Sequence, residues 1–211
     1  MPKIYTKKGD NGTTRLYDGT QLSKSDIICS VIGEIDELSS RIGIVYSLIP
    51  EKINHNHTIE AITTSIQKIG CSVPDINSDS LERVSINYFN VKEIISNIQQ
   101  NLQKLNSILA TRSTEEQDFE ESLVLKLEKY IDFMTVGLPP LTKFILPGVT
   151  HCDSQVHMCR TQTRKVERLL VQIRDDIALG NFAYKYMNRL SDFFFVLARW
   201  ICHKQNFPDR F

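Results

Sequence analysis

Apolar residues recur along most of the chain in alternating steps of three and four, the spacing of one face of an α-helix. The first such seam lies in residues 26–48, and Pro50 follows its end. Ser25 or Asp26 can cap its start, because a short polar side chain accepts hydrogen bonds from first-turn amides. We therefore predict a helix over 26–48. Its seam comprises Ile28, Val31, Ile35, Leu38, Ile42, Val45 and Ile49.

The same spacing predicts further helices over 58–71, 119–136, 153–176 and 182–204. The seam of the 153–176 segment comprises Val156, Cys159, Thr163, Val166, Leu170 and Ile173. That of the last segment comprises Phe182, Tyr186, Leu190, Phe193, Leu197, Trp200 and Ile201. Together they predict an all-α protein, an antiparallel bundle with ferritin-like up-down packing and a non-helical N-terminal arm.

Residues 72–121 differ in composition, being rich in Ser, Asn and acidic side chains at both ends. Between those ends, "VKEIISNIQQNLQKLNSILA" fits an amphipathic helix. We interpret 72–121 as an insertion that lies outside the active site. The proline-rich connector "GLPPLTKFILPG" comes later and ends in a turn at Pro147-Gly148.

The N-terminal arm, residues 3–25, is polar and rich in glycine. In "GDNGTT", closely spaced backbone N–H groups and glycines free to adopt positive φ can form an anion-binding concavity. Thr13, Thr14 and Lys24 add further donors. The arm is no Walker A loop, because GxxxxGK[ST] is absent and no helix opens directly after it. Taken alone, Asp-Asn-Gly favours a hairpin turn over a binding loop.

Three arginines share a stripe in the 153–176 helix, since Arg160, Arg164 and Arg168 are spaced four residues apart. The stripe is displaced from the apolar seam by more than a third of a turn. One interpretation is a solvated basic face in which Glu167 pairs with Arg164. The other is a polyanion site, because guanidinium groups donate in pairs to phosphate oxygens.

Two polar positions adjoin the seams of other helices. Asn188 lies in an aromatic-rich helix with Asp192 one turn away, and Asn is a poor helix former. It either bonds another helix or holds a ligand or metal–phosphate complex. Asp36, between the seam residues Ile35 and Leu38, is either a solvated acid or the partner of an arginine on another helix or subunit.

Composition narrows the class of protein. The 211 residues suit one domain, and 25 basic side chains balance 25 acidic ones. A neutral chain has no general attraction to nucleic acid or anionic membrane, and no apolar run has the length of a membrane span. Five scattered cysteines without CxxC favour free thiols in a reducing compartment. We expect a cytoplasmic protein from the visible chain, or a mitochondrial one if a presequence was removed.

Other site classes fit poorly. His151, Cys152, His157 and Cys159 invite a zinc site, but their spacing matches no familiar module, and Cys159 fills a seam position. A di-iron bundle would show Glu-x-x-His, which is absent. A serine hydrolase would carry a GxSxG elbow on an α/β pattern, and neither occurs.

Five pieces, in this order, resemble the PduO-type ATP:cob(I)alamin adenosyltransferases. They are "IYTKKGDNGTTRL" with Lys24 beyond it, "GEIDELSS", "KFILPG" followed by Thr150, "RTQTRKVER" and "NRLSDFFFVLAR". The resemblance covers residues 3–71 and about 122–204 and implies a five-helix bundle. It also implies a homotrimer that binds ATP between subunits and transfers the 5′-deoxyadenosyl group of ATP to the Co(I) of cobalamin. The products would be adenosylcobalamin and triphosphate.

The resemblance also implies roles for individual residues. Mg²⁺ is expected on the triphosphate near Asn188, without direct protein ligands. Asp36 and Arg160 match a salt bridge between subunits, and with Arg164 and Asn188 they are the expected catalytic residues. Phe144 matches an aromatic that displaces the corrinoid's lower axial ligand, and Phe195 would line the same pocket. The positions matched to ATP binding are Thr6, Lys7, Lys8, Gly9, Thr14, Lys24, Arg164, Lys165, Val166, Glu167, Arg168 and Asn188.

Two positions depart from the family pattern. The common "RRAER" is "RKVER" here, so Lys165 keeps the charge but loses the bidentate fork. The usual "PGG" is "PGV", so Val149 has to avoid positive φ. A non-catalytic chaperone or sensor for ATP or adenosylcobalamin is the alternative function, and a helical interaction module is a third. An active enzyme could pass its product to a B12-dependent mutase or dehydratase.

Overall fold

The computed structural model describes residues 3–5, 7–50, 53, 90–111 and 118–211. Two short strands open the chain, and helices make up most of the other described residues, so the all-α prediction is confirmed. The elements are β1 (Thr13–Arg15), β2 (Gln21–Ser23), α1 (Ile27–Leu48), α2 (Val91–Thr111), α3 (Glu121–Val136), α4 (His151–Gln172) and α5 (Asn181–Lys204). The helix predicted over 58–71 lies outside the described residues.

The packed pairs α1/α4 and α4/α5 run in opposite directions, as predicted for an antiparallel bundle. On α1, Glu34 contacts Lys165, and Arg41, two turns further on, contacts Met158 nearer the start of α4. The α4 and α5 helices are antiparallel as well, because Glu167 contacts Asn188, whereas His157, earlier on α4, contacts Phe195, later on α5. By contrast, α3 and α5 pack side by side in the same direction, because Glu128 contacts Arg189 while Tyr130, further along α3, contacts Phe193, further along α5.

The predicted seams form the core. Every seam residue of α1 and of α4 named above is buried. In α5 the seam residues are buried as well, except Phe182, which is half-buried. Cys159 is fully buried, and burial raises the pKa of its thiol to about 12. Desolvation of this kind suits a space-filling thiol rather than a metal ligand.

The α2 helix belongs to the core. Part of the stretch predicted as an insertion, 72–121, forms this helix, and its apolar face is buried. The buried positions are Val91, Ile94, Ile95, Ile98, Leu102, Leu105, Ile108 and Leu109. Apart from residue 90 and residues 118–121, the rest of the stretch lies outside the described residues, and its interpretation as an insertion stays a prediction.

Polar caps fix the ends of the helices nearest the candidate site. Asp26 caps α1 by accepting a hydrogen bond from the amide of Ile28 at 2.9 Å. The start of α4 lies two residues earlier than predicted, because Thr150 and Asp153 form a capping box. Among the described helices, none combines the length and the apolarity that crossing a membrane requires.

Candidate active site

The N-terminal arm folds as a small antiparallel hairpin, with Thr14 opposite Leu22. The turn between its strands contains Gly19, which has a φ of 90°. Asp-Asn-Gly precedes β1 and is not the hairpin turn, although Gly12 also has a positive φ, of 81°. The loop before β1 is therefore a separate feature, available for binding.

That loop lies against the ammonium group of Lys24. A Cβ added to Gly9 would lie 3.0 Å from the carbonyl oxygen of Thr13 and 3.3 Å from the Nζ of Lys24. The amide of Lys24 also donates to the carbonyl of Gly12 at 2.9 Å. A side chain at Gly9 would therefore crowd the Thr13 carbonyl and Lys24, and the structure brings the predicted loop and lysine together.

Other arm residues predicted to contact ATP stay near this loop. Lys7 and Lys8 are exposed, and Lys7 has a φ of 59°, unusual for a residue with a Cβ. Thr14 is half-buried in β1. Thr6 lies outside the described residues. The hairpin is anchored to the end of α2, because the amide of Tyr17 donates to the carbonyl of Ala110 at 3.2 Å.

The arginine stripe of α4 offers exposed guanidinium groups. Arg164 and Arg168 are exposed, and neither has a hydrogen bond or salt bridge to any residue that the structure describes. The stripe from Arg160 to Arg168 is about 12 Å long, at 1.5 Å per residue. The side chain of Val166, also predicted to contact ATP, is buried in the core.

Asn188 joins the stripe from α5. Its Nδ2 donates to the Oε1 of Glu167 at 3.0 Å, so Glu167 pairs across helices and not with Arg164. Both of the earlier interpretations of Asn188 remain compatible with this bond, because the amide oxygen of Asn188 is free to face a ligand. Three predicted site residues, Arg164, Glu167 and Asn188, thus lie together on one surface.

Lys165 faces a different neighbour. Its Nζ contacts the Oε1 of Glu34 on α1 at 2.5 Å, and Gln162 also donates to that carboxylate. The hydrogen bond from Lys165 is the main cause that lowers the pKa of Glu34. In this structure Lys165 therefore links two helices, whereas Arg164 and Arg168 remain open to an anion.

This pairing yields a prediction for Lys165→Met. Because a half-exposed ion pair contributes only about 0–1 kcal/mol, we expect the KM for ATP to rise by less than about fivefold. The matched variant Glu34→Gln, which breaks the same pair from the other side, should give a similar profile. Steady-state kinetics with varied ATP measure both. A hundredfold rise in KM for Lys165→Met alone would show that the lysine binds phosphate.

A cavity of about 620 Å³ lies at the N-terminal half of α4. Phe144 and Phe195, the two residues predicted for the corrinoid, both line it, together with Arg160 and His157. Phe144 is completely exposed on its connector. The cavity therefore offers two aromatic side chains to a large, flat ligand, with a cation at its edge.

His157, considered above only as a zinc ligand, also lines this cavity. Its Nδ1 accepts from the Nε of Arg160 at 3.3 Å, and its ring meets that of Phe195 edge to face at 6.3 Å. Burial, and then the charge of Arg160, lower the pKa of His157, so the neutral imidazole is favoured. Because His157 lies three residues before Arg160 on one helix, the sequence alone already places the two side chains on the same face.

The connector ends in a turn that Asp153 holds by hydrogen bonds to its backbone. The positive φ, 105°, falls on Gly148, and Val149 stays outside the left-handed region, as its side chain requires. The buried carboxylate of Asp153 accepts hydrogen bonds from the amides of Gly148, Val149 and Thr150. The valine that departs from the family pattern is thus accommodated without backbone strain.

Asp36 lies apart from Arg160 within one chain. It is exposed on α1 and has no hydrogen bond or salt bridge to another described residue. Arg160 is half-buried, and its pKa is lowered by burial and then by the charge of Arg164. The predicted pair therefore does not form within the chain, which leaves both groups available to another subunit.

Comparisons with known proteins agree with this geometry. The family model described as cobalamin adenosyltransferase matches residues 4–83 and 75–201. Corrinoid adenosyltransferase MMAB of Bos taurus is 36% identical over 211 residues, which cover 100% of this chain and 76% of the relative. A corrinoid adenosyltransferase of Citrobacter freundii is 30% identical, with 94% of both chains covered.

Solved structures give the same result. One is a variant PduO-type ATP:corrinoid adenosyltransferase from Lactobacillus reuteri complexed with cobalamin and ATP, which is 31% identical. Its TM-score is 0.74, with 99% of this chain and 98% of that chain covered. The sequence motifs, the five described helices and the matched length lead to one conclusion: the chain belongs to the cobalamin adenosyltransferase family.

Proposed function

We propose that this protein transfers the 5′-deoxyadenosyl group of ATP to the Co(I) of cob(I)alamin. The observation that carries the proposal is the order of groups along α4. The aromatic cavity reaches Arg160, and the exposed Arg164 follows one turn later, about 6 Å along the axis. A corrinoid in the cavity and a triphosphate on the stripe would place the ribose C5′ between them.

The chemistry requires little covalent help from the protein. Cobalt supplies an electron pair to C5′, the C5′–O5′ bond breaks, and triphosphate leaves with the electrons of that bond. No protein nucleophile is involved, so the chain's contribution is alignment of C5′ and stabilisation of charge on the leaving group. Arg164 and Arg168 supply donors from α4, and Lys24 with the loop around Gly9 supplies donors from the arm.

Asn188 and Glu167 fit a magnesium–triphosphate complex. Both present side-chain oxygens beside the arginine stripe, and Mg²⁺ prefers oxygen ligands while keeping several waters. When bound, Mg²⁺ would neutralise part of the triphosphate charge. The role of the chain is to orient that complex through the Asn188 amide, whose geometry the bond to Glu167 fixes.

The site is completed between subunits of a homotrimer. Arm and stripe belong to different elements, and the structure shows no hydrogen bond between them in the described residues. Asp36, Arg164 and Arg168 all lie exposed without partners there. Apolar side chains are also exposed on the same two helices, at Ile44, Tyr46, Met158 and Val171. A neighbouring subunit would cover them and bring Asp36 to Arg160.

Asp36→Asn tests this arrangement. Loss of one partner of an interface ion pair should weaken the trimer and raise the KM for ATP by about tenfold or more, because Arg160 loses its counter-charge. Light scattering across a dilution series and steady-state kinetics measure the two effects. Asp132→Asn, an exposed aspartate on α3, is the control and should match the wild type. Unchanged assembly and kinetics in Asp36→Asn would exclude the pairing.

A chaperone or sensor of the same fold remains the second candidate, and the Lys165 and Val149 departures are what favour it. Calorimetry with MgATP and with adenosylcobalamin separates it from the enzyme. Tight binding of adenosylcobalamin without turnover would support the chaperone. Turnover that releases triphosphate and adenosylcobalamin in equal amounts would support the enzyme, whose product could pass to a B12-dependent mutase or dehydratase.

A further inference from the structure

The chain's last residues, 205–211, form a tail that folds back onto the connector carrying Phe144. The amide of Leu146 donates to the carbonyl of Arg210 at 2.7 Å. The Nη1 of Arg210 donates to the carbonyl of Pro147 at 3.4 Å, and a Cβ on Gly148 would lie 3.3 Å from that nitrogen. The tail therefore holds the end of the connector that follows Phe144.

A buried arginine holds the other end. Arg199, on α5, donates through Nε and Nη2 to the carboxylate of Asp209, at 3.1 and 2.7 Å. The same Nη2 donates to the carbonyl of Pro139 at 2.8 Å. The two side chains are only 5% and 12% exposed. One guanidinium thus ties the tail to the start of the connector.

A buried ion pair is stable only when both partners are present and well aligned. Removing one partner leaves an uncompensated buried charge, which strongly destabilises the local structure. The planar fork of arginine also fixes the direction of its two carboxylate bonds. Between the two held ends, Phe144 is fully exposed, so its position depends on where the ends are held.

We propose that Arg199 and Asp209 are positioning residues that clamp the tail to the connector and so set Phe144 at the mouth of the aromatic cavity. The clamp itself follows from contacts within the chain. Its effect on the corrinoid rests on the proposed function. The two statements are therefore tested by separate measurements.

Hydrogen exchange on the ligand-free protein tests the clamp. In Asp209→Asn, peptides covering 140–147 should show about tenfold faster exchange or more at Leu146, because its amide donates to the carbonyl of Arg210 in the tail that the lost pair releases. Asp209→Glu, which keeps the charge, should recover part of the protection. Glu128→Gln breaks a more exposed ion pair, between Glu128 on α3 and Arg189 on α5, and should leave the exchange rates of these peptides unchanged. Unchanged exchange of 140–147 in Asp209→Asn would overturn the clamp.

Kinetics test the positioning role. In Asp209→Asn the KM for the corrinoid should rise about tenfold while the KM for ATP stays within about twofold, and Asp209→Glu should lie between. A mere loss of folded protein would lower kcat and leave both KM values unchanged. Two results would refute the positioning role. One is an equal rise in the KM for the corrinoid and the KM for ATP, and the other is an unchanged KM for the corrinoid although hydrogen exchange shows a loosened connector. A wild-type protein without turnover would contradict the proposed function, while hydrogen exchange would still decide on the clamp.

Discussion

Arg164→Ala should lose at least about 2 kcal/mol of transition-state stabilisation, or about 30-fold in kcat/KM for ATP. Arg164 is exposed, is free of partners in the described residues, and follows Arg160 by one turn. A donor aimed at the leaving triphosphate acts mainly where charge develops, so the loss should appear in kcat as well as in KM. Steady-state kinetics with varied MgATP measure it.

The matched control is Arg174→Ala, since Arg174 is also an exposed arginine just beyond α4 but bonds to Asn181. That variant should keep wild-type kinetics. Arg164→Lys should fall between the two, because it keeps the charge and loses the bidentate fork. Near wild-type turnover in Arg164→Ala would contradict the role given to the stripe.

Asp153→Ala should cost about 2–3 kcal/mol of the free energy of unfolding, since one buried carboxylate serves three backbone amides. Without it, the amides of Gly148, Val149 and Thr150 lose their acceptor, and the capping box of α4 is broken. Urea unfolding measured at constant m-value reports the change. The connector would also loosen, so we expect the KM for the corrinoid to rise.

Ser154→Ala provides the control at the next position. Its hydroxyl donates to the carbonyl of Thr150 at 2.8 Å and shares the same helix start, yet its loss should cost no more than about 1 kcal/mol. Asp153→Asn should lie between, because the amide keeps one acceptor oxygen. Equal stability of Asp153→Ala and Ser154→Ala would show that the carboxylate does not organise the turn.

Much of the bundle could be predicted because its packing is periodic. The seam positions of α1, such as Val31 and Ile42, are buried because a three-four spacing keeps them on one side of a helix. The start of α4 was predicted at Asp153, two residues late, although Thr150 with Asp153 carries the spacing of a capping box. This helix start is therefore encoded locally, in four consecutive residues.

The individual segments of the candidate site could be predicted from the sequence, but the contacts between distant side chains could not. Composition and spacing pointed to the loop around Gly9 and to Arg164, since both concern local backbone or one helix face. The partner of Lys165 is Glu34, more than 100 positions away, and no periodicity connects them. The Arg199–Asp209 clamp is likewise invisible to periodicity, because it depends on how the tail folds back.

The most direct test of the central claim is a visible-spectrum time course with catalytic amounts of the protein, MgATP and cobalamin kept as Co(I) under strictly reducing conditions. We expect multiple turnovers, in which the cob(I)alamin spectrum is replaced by that of adenosylcobalamin and one triphosphate is released for each adenosylcobalamin formed. Omitting ATP, or using Arg164→Ala, should slow or abolish the change. Absence of adenosylcobalamin with the wild-type protein under these conditions would show that the protein is not an adenosyltransferase.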